Sequence, residues 1–517
     1  MSSGTAATTV RETERKYELD DTAELPDPSG LAGLDAGSGA QEQRLEALYF
    51  DTEDLRLLRA RITLRRREGG HDEGWHLKLP VDGDSRDEVQ LPLTEERTTP
   101  PEELLVLVRL HTRGAPLSPV AQLNTHRRRW VLSDEGGREQ AELVDDTVHA
   151  HTLGRSTSAL SWREVEVELG EHGEAGLLDR IERELVRGGV RRSGSRSKLG
   201  RVLGDQLIER RAAARAGRTD LKPGSAGEAV LDYLRAQADE LRGRDAPVRR
   251  DEPDAVHRMR VAARRMRSTL QAYRRVLDRR GTDHLVEELR WLGRELNDAR
   301  DTEVIAERLD STVAELPEEL VLGPVAAQLT RSLQRRRADG QERAVAALDS
   351  QRYLALHDAV DTLLEQPPLA KGARRPAGEE LRAGVAKAWR RTAKRMAEAD
   401  SLPQGPERDA ALHELRKSAK RLRYAVEVAE PSGGKRAKRT RKDLKKVHTV
   451  LGEHQDAVVA RPVIRELAVQ AHLDGGNGFT HGVLHGREAA RSDRAERDLP
   501  AAWHRLTHRK TVKWLEN

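Results

Sequence analysis

Through roughly the first 170 residues, apolar and polar positions alternate with period two, the spacing of half-buried strands. The alternation predicts strands over 10–19, 44–50, 61–68, 74–80, 86–92, 123–133, 139–146 and 161–169. Turns such as Gly69-Gly70 and Gly136-Gly137 separate several of them. Eight strands of this kind suggest a closed barrel. The alternation stops near Gly170, and the pattern then predicts helices over 173–188 and 197–214, the second bringing Lys198 to the mouth of the barrel.

From residue 225 the apolar positions take the spacing of amphipathic helices, predicted over 226–243, 254–279, 282–297, 301–314, 325–347, 351–365, 377–399, 407–429, 435–451, 455–471 and 487–506. Residues 215–224 combine Gly, Pro and polar residues and read as a short linker. The expected domains are therefore 8–214 and 225–517, an α+β chain with its strands first and an all-α half after them.

Within the helical half one polar pattern occurs twice. His257, Arg260, Arg264 and Arg267 share the offsets 0, 3, 7 and 10 with His413, Arg416, Lys420 and Arg423, which puts each set on one helical face. Like charges stacked at such spacing repel unless an anion lies along them. A single stripe is more often an ordinary solvated face, and each histidine reads equally well as a cap or a buried hydrogen-bonding residue. The duplication shifts the balance toward a polyanion. Arg300-Asp301 follows the first stripe and Gln455-Asp456 the second at almost the same distance, so two similar sub-bundles related by a pseudo-twofold are expected. Further basic stretches are Arg335-Arg336-Arg337, Lys387 to Arg395 and Lys435 to Lys446.

The strands are unusual in the charges on one face: Glu12, Glu14 and Lys16; Arg65 and Arg67; His76 and Lys78; Arg127 and Arg129; Glu164, Glu166 and Glu168. On any one strand such a row is the solvated side. If several rows converge, the acids can hold a hard divalent cation and the bases phosphate oxygens.

Composition narrows the partners. Lys and Arg number 91 against 87 Asp and Glu, so basicity is local. Aromatic residues are 3% of the chain, which leaves few rings for base stacking and counts against nucleic acid. Cysteine is absent, which removes thiol nucleophiles and thiolate metal sites. No apolar run approaches the ~18 residues of a membrane span, so a soluble, cytoplasmic protein without a membrane partner is expected.

The segments Glu12-Thr13-Glu14-Arg15-Lys16, Tyr49-Phe50-Asp51-Thr52, Leu64 to Glu68, Trp75-His76-Leu77-Lys78, Arg127 to Trp130, Glu142 with Asp145-Asp146, Glu164-Val165-Glu166 and Ser197-Lys198-Leu199 run in the order seen in CYTH domains, the triphosphate tunnel metalloenzymes. The resemblance implies an eight-stranded antiparallel tunnel that binds a triphosphate with Mg²⁺ or Mn²⁺. It implies metal-facing carboxylates at Glu12, Glu14, Asp145, Glu164 and Glu166, with Asp146 the one-residue alternative to Asp145. Arg65, Arg67, Lys78, Arg127 and Lys198 would be phosphate ligands, and Lys16 the lysine beside the scissile phosphate. His126 stands where the family often has Lys or Arg.

The helical half resembles a CHAD domain. The match is carried by His257-Arg258-Met259-Arg260-Val261 with Arg264-Arg265, Arg300-Asp301, His413-Glu414-Leu415-Arg416-Lys417 with Lys420 to Tyr424, and Gln455-Asp456. The resemblance implies paired helical bundles that bind inorganic polyphosphate in a basic channel, which would bring the chain to polyphosphate granules. Two functions stay open: a metal-dependent triphosphatase with a polyphosphate-binding appendage, or a binding protein whose tunnel only holds phosphate. Oligomeric state is open as well.

Overall fold

A computed structural model describes residues 7–20, 22–37, 39–154, 157–204, 206, 208, 221–508 and 514–515. Its contacts divide into two compact units, Met1–Ala216 and Gly217–Asn517. Of the linker expected over 215–224, residues 215–220 lie outside the described residues.

The first unit is a closed antiparallel barrel. Its strands are β1 (Thr8–Glu18), β2 (Gln41–Asp51), β3 (Thr63–Glu68), β4 (Gly74–Pro80), β5 (Ser85–Leu91), β6 (Ser118–Ser133), β7 (Glu139–Thr152) and β8 (Ala159–Leu169). They run β5-β4-β3-β2-β6-β7-β8-β1, and a β1–β5 pairing closes the ring. β1 changes partner along its length: Thr8 to Thr13 pair with β5, and Glu14 to Glu18 pair with β8. A short β9 (Arg191–Arg192) occupies the edge of β1 that β5 does not reach. All eight strands expected from the alternation are present. Helix α1 (Arg56–Arg59) follows β2, and α2 (Glu102–Thr112), which period two did not foresee, precedes β6.

Two apolar clusters position the barrel. On its outer face Tyr17, Trp130, Leu143, Val165 and Val167 pack with Leu177, Leu178, Ile181 and Leu185 of α3 (Ala175–Arg187). Tyr49, Leu123, Val148, Ala150 and Trp162, which alternate with those outward positions, pack with Leu199 and Leu203. Leu199 belongs to α4 (Lys198–Val202), capped by the Ser197 hydroxyl accepting from the Gly200 amide at 3.0 Å. The helix whose leucine fills the apolar part of the interior therefore starts at Lys198.

The second unit is helical: α5 (Ala226–Gly243), α6 (Asp245–Arg249), α7 (Ala255–Ala272), α8 (Arg279–Glu295), α9 (Asn297–Ala314), α10 (Val325–Asp349), α11 (Gln351–Glu365), α12 (Ala377–Asp400), α13 (Pro406–Leu473) and α14 (Phe479–Leu506). The stretch expected as three helices from 407 to 471 is interrupted at one point, Gly434, whose φ of 56° and ψ of −140° are not helical. No second break separates 451 from 455, because Gly452 is buried within continuous helix. Close packing explains Gly340 of α10: a Cβ there would come within 2.8 Å of the Ala299 backbone on α9. Among the described residues no helix is long and apolar enough to cross a membrane.

Candidate functional site: a charged tunnel and a basic helical cluster

Period two sends Glu12, Glu14 and Lys16 of β1 to the same face as Glu166 and Glu168 of β8, and pairing across the barrel brings in Arg65, Arg67, Lys78 and Arg127. Together they line a cavity of about 550 Å³. The acids and bases interlock. Lys78 Nζ donates to Glu12 Oε2 at 2.5 Å, and Lys16 Nζ to Glu14 Oε2 at 3.1 Å and to Glu166. Arg127 clamps Asp146 through Nε at 2.8 Å and Nη2 at 2.7 Å. Lys198 Nζ lies 2.9 Å from Asp146, 2.8 Å from Glu164 and 2.8 Å from Glu166.

The pairing is incomplete in a patterned way. Burial, partly opposed by Lys78, pushes Glu12 up to about 8, and burial likewise pushes Glu168 up to about 7. Glu14 is pulled down to about 2, because Lys16 and Lys78 outweigh its burial. Arg67 falls to about 9 under burial and the repulsion of Arg65 and Arg127. Burial therefore disfavours the charged forms of Glu12 and Glu168 among the acids and of Arg67 among the bases. Glu14 Oε1 is buried without a hydrogen-bond partner, an unmet acceptor of the kind that suits a hard divalent cation. Asp146, Glu164 and Glu166 also bring oxygens within 4.8 Å of one another.

Asp145 corrects the sequence assignment. It points away from the tunnel and pairs with Arg163, at 2.8 Å through Nε and Nη2, and with Arg128. Asp146, one residue on, faces inward opposite Arg127, as period two requires once the register is known. His126 is on the outward side as well, with its ring 3.5 Å from Glu42, so its departure from the family pattern does not alter the tunnel. Residues the sequence did not single out are Arg86 and Glu88 of β5, which line the cavity; Arg86 lies 3.4 Å from Glu14, and Glu88 holds the ring of His76 at 3.1 Å. Their Arg-x-Glu-x-Gln alternation was the available signal.

In the helical unit the two stripes meet. All eight side chains, His257, Arg260, Arg264, Arg267, His413, Arg416, Lys420 and Arg423, are half-buried. Contact between α7 and α13 is made by Arg264 Nε donating to the Tyr424 hydroxyl at 3.0 Å and by the Tyr273 hydroxyl donating to the Ala425 carbonyl at 2.6 Å. The repeats make equivalent ion pairs, Arg260 with Asp301 at 3.6 Å and Arg416 with Asp456 at 3.4 Å. His413 Nδ1 meets Gln455 Oε1 at 2.5 Å.

Here the electrostatics lean one way. Burial, with Arg264 and Arg416 nearby, lowers Lys420 to about 6. Burial and Arg300 lower His257 to about 4. His448, absent from the sequence expectation, falls to about 2 because it is buried beside Lys420, Arg423, Arg416 and Arg264. His448 Nε2, Arg416 Nε and Arg423 Nε are buried polar atoms without a hydrogen-bond partner. Such a cluster is costly without an anion.

A CYTH domain model matches residues 10–191 and a CHAD domain model residues 232–465. Two Mycobacterium tuberculosis proteins, MT2285 and Rv2226, both described as uncharacterized, are 36% identical over 507 residues, covering 96% of this chain and 96% of theirs. Among solved structures, PptA from Streptomyces chartreusis is 26% identical with a TM-score of 0.47, covering 54% of this chain and 99% of its own. The CHAD domain from the plant Ricinus communis is 25% identical with a TM-score of 0.45, covering 57% of this chain and 96% of its own.

Proposed function

The chain belongs to the CYTH–CHAD family, and on that premise we propose that it binds inorganic polyphosphate through its helical domain and hydrolyses a triphosphate in its tunnel. The domain borders proposed are 8–214 and 225–517, with Mg²⁺ or Mn²⁺ as the tunnel's ion. The observation that carries this reading is the convergence of Glu12, Glu14, Glu166, Lys16, Arg65, Arg67, Lys78, Arg127 and Lys198 on one cavity of about 550 Å³. A metal-bound triphosphate presents both signs of charge, as does this lining.

Arg65, Arg67, Lys78, Arg127 and Lys198 hold phosphate oxygens and keep the chain extended. Glu12, Glu14, Glu164 and Glu166, with Asp146 in place of Asp145, hold the ion. When bound, that ion offsets negative charge on the phosphates and positions water. Lys16, between Glu14 and Glu166, orients the attacking water or offsets charge on the leaving phosphate. No covalent nucleophile is needed. In the helical domain the six Lys and Arg of the stripes replace condensed counterions along polyphosphate, and the uncharged His257, His413 and His448 line the same site. That binding would draw the protein to polyphosphate granules in the cytoplasm.

One observation favours a tunnel that binds without turnover: Lys198 already lies within 2.9 Å of Asp146, Glu164 and Glu166, so their charge is met by the protein itself. The polyphosphate assignment is tested by competition. Long-chain polyphosphate should displace a labelled polyphosphate where duplex DNA at equal phosphate concentration does not. Equal displacement by DNA would refute it.

A further inference from the structure

A third cluster lies apart from the tunnel and from the stripe residues. Asp409 opens α13, His454 lies beyond its break at Gly434, and Glu496 belongs to α14. One ligand atom from each lies within 4.8 Å of the others. His454 Nε2 is 3.1 Å from Asp409 Oδ1 and 3.5 Å from Glu496 Oε1. Ligands about 2.0–2.1 Å from a tetrahedral ion stand about 3.3–3.4 Å apart, so both spacings suit a shared ion.

Three observations distinguish this cluster from an ordinary buried histidine between acids. First, His454 is 2% exposed, yet its Nε2 makes no hydrogen bond to either carboxylate. Second, the outer carboxylate oxygens have their own cations: Arg408 Nε donates to Glu496 Oε2 at 2.8 Å, and Arg461 Nη2 lies 3.5 Å from Asp409 Oδ2. The inner oxygens are left to the imidazole, as when outer partners orient metal ligands. Third, the first repeat supplies an internal control, since the positions matching Asp409 and His454 in its register are Pro253 and Ala299.

We propose that Asp409, His454 and Glu496 bind one divalent transition-metal ion of the Zn²⁺ type. An imidazole with two carboxylates favours such an ion over Mg²⁺, which prefers an all-oxygen shell. The ion ties both segments of α13 to α14 beside the second stripe, because Asp409 is one helical turn before His413 and His454 adjoins the Gln455 that holds His413.

The test is a Zn²⁺ titration of the chelator-stripped full-length protein in excess Mg²⁺, which saturates all-oxygen sites, followed by calorimetry. One equivalent of Zn²⁺ should bind, and His454→Gln and Glu496→Gln should each remove it. Asp409→Asn, at the most exposed of the three ligands, should weaken it even if a core variant unfolds. Co²⁺ substituted for Zn²⁺ should give visible bands that the same variants lose. Zinc binding equal in wild type and Asp409→Asn, or no Zn²⁺ retained in excess Mg²⁺, would overturn the proposal. Neither result depends on phosphate release or polyphosphate binding.

Discussion

In the tunnel, acids and bases are interleaved: Lys78 meets Glu12, Lys16 meets Glu14 and Glu166, and Arg127 meets Asp146. In the helical domain the same kinds of cation crowd together with few acids between them. Lys420 faces Arg264, Arg416 and Arg423, with Asp456 beside Arg416 and Glu427 3.4 Å from Arg423. The difference shows in the direction of the shifts. The tunnel lysines Lys78 and Lys198 are raised, because neighbouring acids outweigh their burial, whereas Lys420, His448 and His257 all move down. A cluster of bases can retain an anion, whereas the tunnel sets acids able to hold a metal among bases able to hold phosphate. Catalysis of phosphate transfer requires both.

That contrast is broken most directly by separating the two activities. Glu12→Ala with Glu14→Ala should lower phosphate release by ~10³-fold, the several kcal/mol expected of a lost metal site at about 1.4 kcal/mol per decade. Polyphosphate binding should be unchanged. Charge reversal at Arg260, Arg264, Arg416 and Lys420 should abolish polyphosphate binding and leave triphosphate turnover intact. If each variant lost both properties while folded, as read by circular dichroism, the division of labour would be wrong.

Salt should separate the units next. Six Lys and Arg in the stripes, each contributing a slope of about 0.7, make polyphosphate affinity fall roughly 300-fold between 50 and 200 mM salt. Fluorescence anisotropy would show this, and a flat response would contradict a stripe-bound chain. Smaller, but specific to the tunnel, is the comparison of neighbouring aspartates. Asp146→Asn, which removes a proposed ligand of the ion, should cut turnover by at least the roughly 10- to 100-fold found for groups that only orient such ligands. Asp145→Asn should spare turnover and lower stability by about 1–3 kcal/mol through its Arg163 contact, as measured by urea unfolding.

The smallest expected effect is on pH. Lys420 is lowered to about 6 in the free protein, facing Arg264, Arg416, Arg423 and His448 with Asp456 opposite. A bound polyanion favours the protonated amine and raises that value. Binding near neutral pH should therefore take up protons, and affinity should fall as pH rises, by up to about tenfold per unit for one proton. The sign for stability is the reverse: the unfolded chain holds this proton more tightly, so the free protein gains stability as pH rises from about 6 toward the ordinary lysine value. Calorimetry in buffers of different ionisation enthalpy would count the protons.

Much of this contrast was legible in the sequence. Strand alternation is local, so all eight barrel strands were found, and the stripes were visible because helical spacing fixes which residues share a face. What escaped depends on register and tertiary packing. Asp145 and Asp146 are adjacent, and only the pairing of Arg127 with Asp146 decides which one faces inward. The run Leu104 to Val108 of α2 is too continuously apolar to announce a helix. His448 follows Lys446 in a basic stretch and gains its significance only when α13 places it beside Lys420.

The central claim, that the mixed-charge tunnel catalyses and the basic cluster binds, is tested most directly by phosphate release from inorganic triphosphate, measured for the full-length protein with Mg²⁺, with Mn²⁺ and with EDTA. The expected result is turnover with a divalent ion, none with EDTA and ~10³-fold less in the Glu12→Ala, Glu14→Ala protein. Absence of turnover with either ion, in a protein that still binds polyphosphate, would contradict it and leave the tunnel as a second anion site.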